Sequence, residues 1–162
     1  MASFFVEGGN QLSGSITPQG AKNEALQVIC ASLLTADDVI LYNVPEISDV
    51  LKLIEILKGL GVQVSRYSGG GYKFSAATVN TDYLKTKEFA DQAISLRGSI
   101  MIIGPLLARL GWGVIPQPGG DKIGRRRLDT HFIGLQKLGA KFDFDAENQW
   151  YSVSAKKIKG GY

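Results

Sequence analysis

Apolar side chains recur at helical spacing in two stretches of the first half of the chain, and each stretch predicts a helix with one buried face. The first stripe comprises Leu26, Ile29, Cys30 and Leu33, and the second comprises Val50, Leu53, Ile54, Leu57 and Leu60. Residues 39–44 lie between them and favour a strand that ends at Pro45. Residues 62–66 and 72–76 then predict a hairpin across the glycines at 69–71.

The same order of helix, strand, helix and hairpin is predicted again in the second half. An apolar stripe marks its first helix at Leu96, Ile100, Ile103 and Leu107. Pro105 leaves the end of that helix open, because proline interrupts a helix interior. A strand at 112–115, a helix at 129–138 and a hairpin of 141–145 with 150–155 follow.

Short identities support this repetition. Leu60-Gly61 matches Leu138-Gly139, 78 positions later, and residues 72–76 resemble residues 151–155, 79 positions later. Such self-similarity predicts a mixed α/β (α+β) fold built from two copies of one unit on a shared core.

The remaining stretches are less regular. Residues 4–6 and 12–16 predict two short strands around a glycine turn, and residues 78–89 suggest a linker with a helical turn. We therefore divide the chain into N-terminal strands at 1–20 and two repeat units at 21–90 and 91–162.

Composition narrows the class of protein. The 162 residues are 44% hydrophobic and 20% charged, as in a globular domain, and the net charge of +3 is too small to indicate nucleic acid by itself. One cysteine excludes an internal disulfide and fits a reducing compartment. With neither a signal peptide nor an apolar run of roughly 18 residues, the cytoplasm is the expected location and no membrane partner is expected.

The loop at 116–127, with Asp129 after it as a candidate helix N-cap, carries the densest candidate chemistry. It holds two prolines, three glycines, one carboxylate at Asp121 and three arginines at 125–127. Guanidinium groups suit bidentate contact with phosphate. Two interpretations stay open: a mobile lid with an acid above a phosphate grip, or a solvated basic turn.

Three further polar residues are candidates for binding a ligand. Lys22 opposes the helix dipole unless a bound anion reverses the sign, so it either curls into water or binds an anion. Asn23 either caps that helix or binds the same anion. Arg97 is the only charge between residues 93 and 108 and requires water, a carboxylate or a ligand.

Other conspicuous residues favour structural roles. The single histidine, His131, has no second histidine or cysteine nearby, so we predict no metal site there. We expect Cys30 in the core and Trp112 and Trp150 in packing contacts. No Walker or dinucleotide glycine motif is present, and no nucleotide cofactor is expected.

Five motifs resemble one family in order and spacing. They are Gly20-Ala-Lys-Asn23, Asn43-Val-Pro45 with Asp49-Val50, Leu96-Arg97 with Gly104-Pro105-Leu106, Pro118-Gly-Gly120, and Ile123-Gly124-X-Arg126. The chain is similar in these motifs to the UDP-N-acetylglucosamine 1-carboxyvinyltransferase family, which commits sugar nucleotide to peptidoglycan. The shikimate-pathway enolpyruvyl transferase is a less similar relative, because it usually carries a serine-containing motif at Gly20–Asn23.

The resemblance implies an enolpyruvyl transferase-type inside-out fold with βαβαββ units. It implies that two of the three repeats of the first domain are present, and that the N-terminal strands pack with a second domain that this chain lacks. The implied partners are UDP-N-acetylglucosamine, phosphoenolpyruvate and the missing C-terminal domain in cis. Neither a metal nor a redox cofactor is implied, and a fragment of this kind is expected to be inactive alone and to self-associate.

The resemblance also implies residue roles. Lys22 and Asn23 would bind phosphoenolpyruvate, and Asp121 would be the general acid that protonates its methylene carbon. The implied contacts of the UDP-sugar are Arg97, Arg126, Arg127, Leu128, Asp129 and Thr130.

Two departures from the family pattern change these expectations. Most members have cysteine where Asp121 stands, so we predict resistance to fosfomycin, which alkylates that thiolate. Arg127 stands where many members have proline, which adds charge to the phosphate grip. Two other function classes stay open: a non-catalytic module that binds a nucleotide-sugar or another polyanion, and nucleic-acid binding through the basic loop, which the modest net charge disfavours.

Overall fold

The computed structural model of the chain describes residues 3–116 and 129–160. The described α-helices are α1 (Lys22–Ala31), α2 (Ser48–Gly59), α3 (Lys87–Ile94), α4 (Ile103–Leu110) and α5 (Asp129–Lys137). The strands are β1 (Asp38–Leu41), β2 (Gln63–Tyr67), β3 (Gly71–Ser75), β4 (Trp112–Pro116), β5 (Lys141–Asp145) and β6 (Trp150–Ser154). Short 3₁₀ helices lie at Ser32–Leu34, Ser68–Gly70, Thr81–Lys85 and Arg97–Ile102.

The strands form two antiparallel sheets with the same topology. The first has the order β1-β3-β2 and the second the order β4-β6-β5, so the second strand of each hairpin is central in both. In the first sheet Ser75 lies opposite both Asp38 and Gln63. In the second, Ser154 lies opposite both Trp112 and Lys141. The predicted mixed α/β class and the repeated order of elements are therefore confirmed; the bounds between the units stay a prediction.

Glycines end the helices and turn the first hairpin where the sequence predicted. Gly61 and Gly139 follow α2 and α5 with φ of +88° and +98°, the left-handed conformation that glycine adopts without a Cβ clash. Gly69 and Gly70 have φ of +74° and +77° between β2 and β3.

Two clusters of buried side chains form the core. The larger one joins α1, α2 and α3 to the first sheet, and Leu53, Leu57, Phe74 and Phe89 are almost completely buried in it. Cys30 belongs to this cluster, as predicted, and Trp112 and Trp150 pack against it. The smaller cluster lies between α4, α5 and the second sheet.

Three predictions about elements need correction. The strands predicted at residues 4–6 and 12–16 are not formed in this chain: the segment has no strand pairing, and Phe4 and Phe5 are each 95% exposed. A strand needs a hydrogen-bonded neighbour, and the described part of the chain provides none there. Besides these three corrections, one bound changes: the strand predicted at 39–44 ends at Leu41, because Asn43 has a φ of +54° that takes the backbone out of the extended region.

The second correction concerns 78–89, where the linker is a 3₁₀ helix followed by α3. Thr86 caps α3, since its hydroxyl accepts a hydrogen bond from the Phe89 N–H at 3.1 Å. The third concerns Pro105, which does not end a helix. It is the third residue of α4, where no intrahelical partner for an N–H is required, and α4 continues to Leu110.

One arginine joins the two units. The Arg109 Nη1 on α4 donates to the carbonyl oxygens of Leu33, Thr35 and Ala76 at 3.1, 3.0 and 2.8 Å. Its Nη2 donates to the Ala77 carbonyl at 3.2 Å. A charged donor thereby holds the last turn of α4 against two loops of the first unit.

Candidate functional site

The segments before α1 and α2 are fixed against each other through Gly20. Its N–H donates to the Asn43 Oδ1 at 3.2 Å. A Cβ at this position would collide with the Asn43 carbonyl oxygen, so only glycine allows the approach. The first turns of both helices are consequently brought together.

Lys22 and Asp49 meet at this junction. Lys22 is the first residue of α1, and its Nζ lies 2.9 Å from the Oδ2 of Asp49 in the first turn of α2. The two side chains are 46% and 37% exposed, so an ion in solution can reach the pair. The Lys22 side chain is therefore directed towards Asp49 rather than folded back into solvent. It lies across the starts of two helices.

Asn23 is not the cap of α1. The N-cap is Ala21, which has no side chain able to accept a hydrogen bond, and Asn23 is the second helical residue and exposed. The capping alternative is therefore wrong, and binding of an anion by Asn23 stays a prediction. Uncapped N–H groups at a helix start favour a negative charge nearby.

Arg97 opens the 3₁₀ helix that leads into α4, and it is partly exposed. The next residue, Gly98, packs so closely on α1 that a Cβ there would lie 3.0 Å from the Leu26 Cδ1. Leu26 is four residues after Lys22, which is about 6 Å along a helix. The fold therefore brings Arg97 close to the start of α1, although 75 residues separate it from Lys22 in the sequence.

The predicted lid and phosphate grip lie outside the described residues, and with them Asp121, Arg126, Arg127 and Leu128. The described structure ends β4 at Pro116 and resumes at Asp129, the first described residue of α5. Asp129 is partly buried and Thr130 is exposed. The roles of all these residues stay predictions.

A second polar cluster lies immediately before α2. Glu46 accepts a hydrogen bond from the Tyr72 hydroxyl at 3.0 Å and forms an ion pair with Arg66, whose guanidinium lies 4.4 Å from the centre of the Tyr72 ring. The Arg66 contact, followed by the Tyr72 hydrogen bond, lowers the pKa of Glu46. Each of the three side chains has an interaction partner within the cluster, and together they fix the first sheet to the loop before α2.

Three further features are defined by residues 3–116 and 129–160. No group of three or more His, Cys, Asp or Glu residues there could hold a metal ion. Burial raises the pKa of the Cys30 thiol to about 12. No single described helix has the length and hydropathy to cross a membrane, and only α3 with the helical stretch Arg97–Leu110, bent by 117°, passes such a test as a pair.

Sequence reasoning missed one residue of this junction. The sequence marks Asp49 as part of a family motif, but not as the partner of Lys22. The available signal was that Asp49 and Lys22 both occupy first helical turns. Only the packing of those two turns makes the residues neighbours.

The fold is that of the enolpyruvyl transferase class of proteins. Residues 6–161 match the family model described as EPSP synthase (3-phosphoshikimate 1-carboxyvinyltransferase). The chain belongs to this family.

Within this family, several similar relatives carry the name UDP-N-acetylglucosamine 1-carboxyvinyltransferase. The chain is 54% identical over 160 residues to the UDP-N-acetylglucosamine 1-carboxyvinyltransferase of Bacteroides fragilis, 52% over 162 residues to that of Bacteroides thetaiotaomicron, and 49% to that of Porphyromonas gingivalis. These matches cover 99–100% of this chain but 37% of each relative. The predicted resemblance to the UDP-N-acetylglucosamine enzymes is confirmed, and the chain spans about 37% of the length of these relatives.

Solved structures confirm the fold. The enolpyruvyl transferase NikO from Streptomyces tendae superposes with a TM-score of 0.70 at 20% identity, over 94% of this chain and 32% of that one. An EPSP synthase from Acinetobacter baumannii gives 0.58 at 20% identity, over 91% of this chain and 33% of that one. At these identities the likeness shows the enolpyruvyl transferase fold alone, and the shikimate-pathway alternative is less supported than the UDP-N-acetylglucosamine one.

Proposed function

We propose that this chain supplies one substrate-binding portion of an enzyme that transfers enolpyruvyl from phosphoenolpyruvate to the 3-hydroxyl of UDP-N-acetylglucosamine. The observation that carries the proposal is the 54% identity to the Bacteroides fragilis relative over 99% of the chain. The exposed cation at the junction of two helix starts supports it, because such a junction suits a phosphate.

The proposed residue roles are those that the resemblance to the family implies. Lys22 and Asn23 bind phosphoenolpyruvate at the start of α1. The UDP-sugar is bound by Arg97, Arg126, Arg127, Leu128, Asp129 and Thr130. Arg97 serves this role from a position close to α1, which allows the sugar and phosphoenolpyruvate to be held side by side.

In the proposed reaction the sugar 3-hydroxyl loses its proton to a base supplied by the rest of the enzyme, and its oxygen forms a bond to C2 of phosphoenolpyruvate while Asp121 gives its proton to C3. The C2–O bond to phosphate then breaks, and loss of a proton from C3 restores the double bond of the enolpyruvyl product. An unperturbed aspartic acid has a pKa of about 3.9 against about 8.5 for cysteine. Asp121 therefore requires a dry, closed site or a nearby phosphate dianion to hold its proton near neutral pH.

A hybrid enzyme tests this function. The matched 160 residues of the Bacteroides fragilis relative are replaced by this chain, and phosphate release is measured with phosphoenolpyruvate and UDP-N-acetylglucosamine. We expect turnover with this acceptor and none with shikimate 3-phosphate. A hybrid that binds UDP-N-acetylglucosamine but releases no phosphate would instead support the non-catalytic module.

Variants of the hybrid separate the roles of its residues. General acids contribute about 10²–10⁴-fold, so Asp121→Ala should lower kcat by at least about 100-fold. Asp121→Cys should keep turnover and make the enzyme sensitive to fosfomycin, whereas the parent hybrid resists it. Covalent inactivation of the parent hybrid by the drug would contradict the resistance.

The remaining parts of the proposal concern the cell and the assembly. We place the reaction in the cytoplasm and in peptidoglycan synthesis, with its consequences for cell shape and division. We also expect the isolated chain to self-associate, which analytical ultracentrifugation at increasing concentration tests. A monomer at every concentration would contradict that expectation.

A further inference from the structure

We infer that Asp49 is the positioning residue of the anion site: its carboxylate holds the Lys22 ammonium across the starts of α1 and α2, where the phosphate of phosphoenolpyruvate binds. The inference rests on the proposed function, because it takes Lys22 as the residue that meets the phosphate. It adds to the anion site a negatively charged residue that strengthens anion binding, although its charge alone would weaken that binding.

The first support is the geometry of the pair. The Lys22 Nζ and the Asp49 Oδ2 are 2.9 Å apart, and they belong to the first turns of two different helices. A lysine side chain has four rotatable bonds and loses considerable entropy when it is held in one position. An ion pair that already restricts the ammonium reduces the entropy that a ligand must remove on binding.

The second support is that the backbone junction does not depend on the pair. The Gly20 N–H donates to the Asn43 Oδ1 at 3.2 Å, and the Gly20 backbone packs directly on the Asn43 carbonyl. Pro45, between Asn43 and α2, is buried. Removing the Asp49 carboxylate should therefore release the lysine side chain while the two helix starts stay together.

The sign of the effect distinguishes positioning from charge. A carboxylate that acted only through its charge would repel phosphoenolpyruvate, so its removal would tighten binding. A carboxylate that positions Lys22 has the opposite effect, and its removal weakens binding. In a chain without the Lys22 ammonium only repulsion remains, and removal of the carboxylate should then tighten binding.

The experiment is a titration of this chain with phosphoenolpyruvate, followed by amide chemical shifts at the starts of α1 and α2. We expect Asp49→Asn to weaken binding by about threefold to fivefold, the scale of an exposed ion pair. In the Lys22→Met background the same change should leave binding unchanged or tighten it. Asp49→Glu, which keeps the carboxylate, should recover at least half of the loss.

The matched control is Glu55→Gln. Glu55 forms an ion pair with Lys58 at 2.8 Å on the same helix, similarly exposed and away from the junction, and its neutralisation should leave binding unchanged. Unchanged or tighter binding in Asp49→Asn alone overturns the inference but leaves the proposed function standing. Failure of the unsubstituted chain to shift with phosphoenolpyruvate overturns the proposed site itself, and the inference with it.

Discussion

The two repeat units share one topology but differ in how deeply their second helices are buried. Aligned on the Leu60-Gly61 and Leu138-Gly139 pairs, α2 and α5 place Leu57 opposite Leu135 and Leu53 opposite His131. Leu57 and Leu53 are fully buried, whereas no described residue of α5 is.

The difference comes from what covers each helix. Helix α2 packs against α1, α3 and its own sheet, while α5 packs mainly on the second sheet through Phe132 and Leu135. Ile56, which is fully buried on α2, corresponds to Gly134 on α5. The repeated pattern of turns and apolar helix stripes therefore specifies a repeated topology. The outer face of each helix, in contrast, is adapted to the elements that pack on it.

Thiol labelling of Cys30 should give the largest measurable effect of the deep burial in the first unit. At pH 8 a pKa of about 12 leaves about one Cys30 thiol in 10⁴ ionised, and burial also blocks the reagent. We expect a disulfide reagent to label the folded chain more than about 1,000-fold more slowly than the unfolded chain. Rapid labelling without unfolding would contradict the deep burial of the first unit.

The loss of stability when each aligned leucine is truncated to alanine should follow the burial of its side chain. Leu57→Ala removes a fully buried side chain and should lower the free energy of unfolding by about 2–5 kcal/mol. Leu135→Ala removes a partly exposed one and should cost about 1 kcal/mol. Urea unfolding with a common slope measures both, and equal losses would contradict the difference between the units.

Substitution of Arg109 tests how the units are joined. Arg109→Met leaves four carbonyl groups without their charged donor and should cost about 2–3 kcal/mol in the same assay. Arg109→Lys should recover less than half, because an ammonium cannot span the same carbonyls. Lys58→Met, on an exposed lysine of α2 that pairs with Glu55, is the control and should change stability little; a similar loss in both variants would argue against a specific junction.

Acid should produce the smallest effect, through one carboxylate in each unit. Lys73 lowers the pKa of Asp38 by hydrogen bonding, and Asn148 lowers the pKa of Asp145 in the same way. A lowered folded-state pKa stabilises the fold above the unfolded value of about 3.9, and this contribution is lost as the pH falls through the folded value.

The two carboxylates should differ in their response to salt. In urea titrations between pH 5 and pH 2, Asp38→Asn should reduce the acid-induced loss of stability at low salt and have little effect in 1 M NaCl, because salt screens the ion pair with Lys73. Asp145→Asn should reduce the loss at both salt concentrations, because Asn148 is a neutral donor. If salt changed the effects of Asp38→Asn and Asp145→Asn equally, the two carboxylates would be stabilised by the same kind of interaction, and the prediction would be wrong.

The local sequence determined the elements whose signals are short-range. The stripe from Val50 to Leu60 predicts α2 because apolar spacing at 3.6 residues marks one helical face, and Gly61 ends the helix because it adopts a positive φ without strain. The hairpins and the repeat follow from the same local chemistry. The candidates are also visible locally, Lys22 as a charge where a helix begins and Arg97 as the lone charge of an apolar stretch.

Only the tertiary structure decided which of these residues meet. The sequence cannot show that Asp49 pairs with Lys22, because a contact across 27 residues depends on how two helices pack. It predicted strands at residues 4–6 and 12–16 because strand patterns can be recognised before any partner strand is known. Burial of α2 and exposure of α5 were decided in the same way, since a helix face becomes core only when another element covers it.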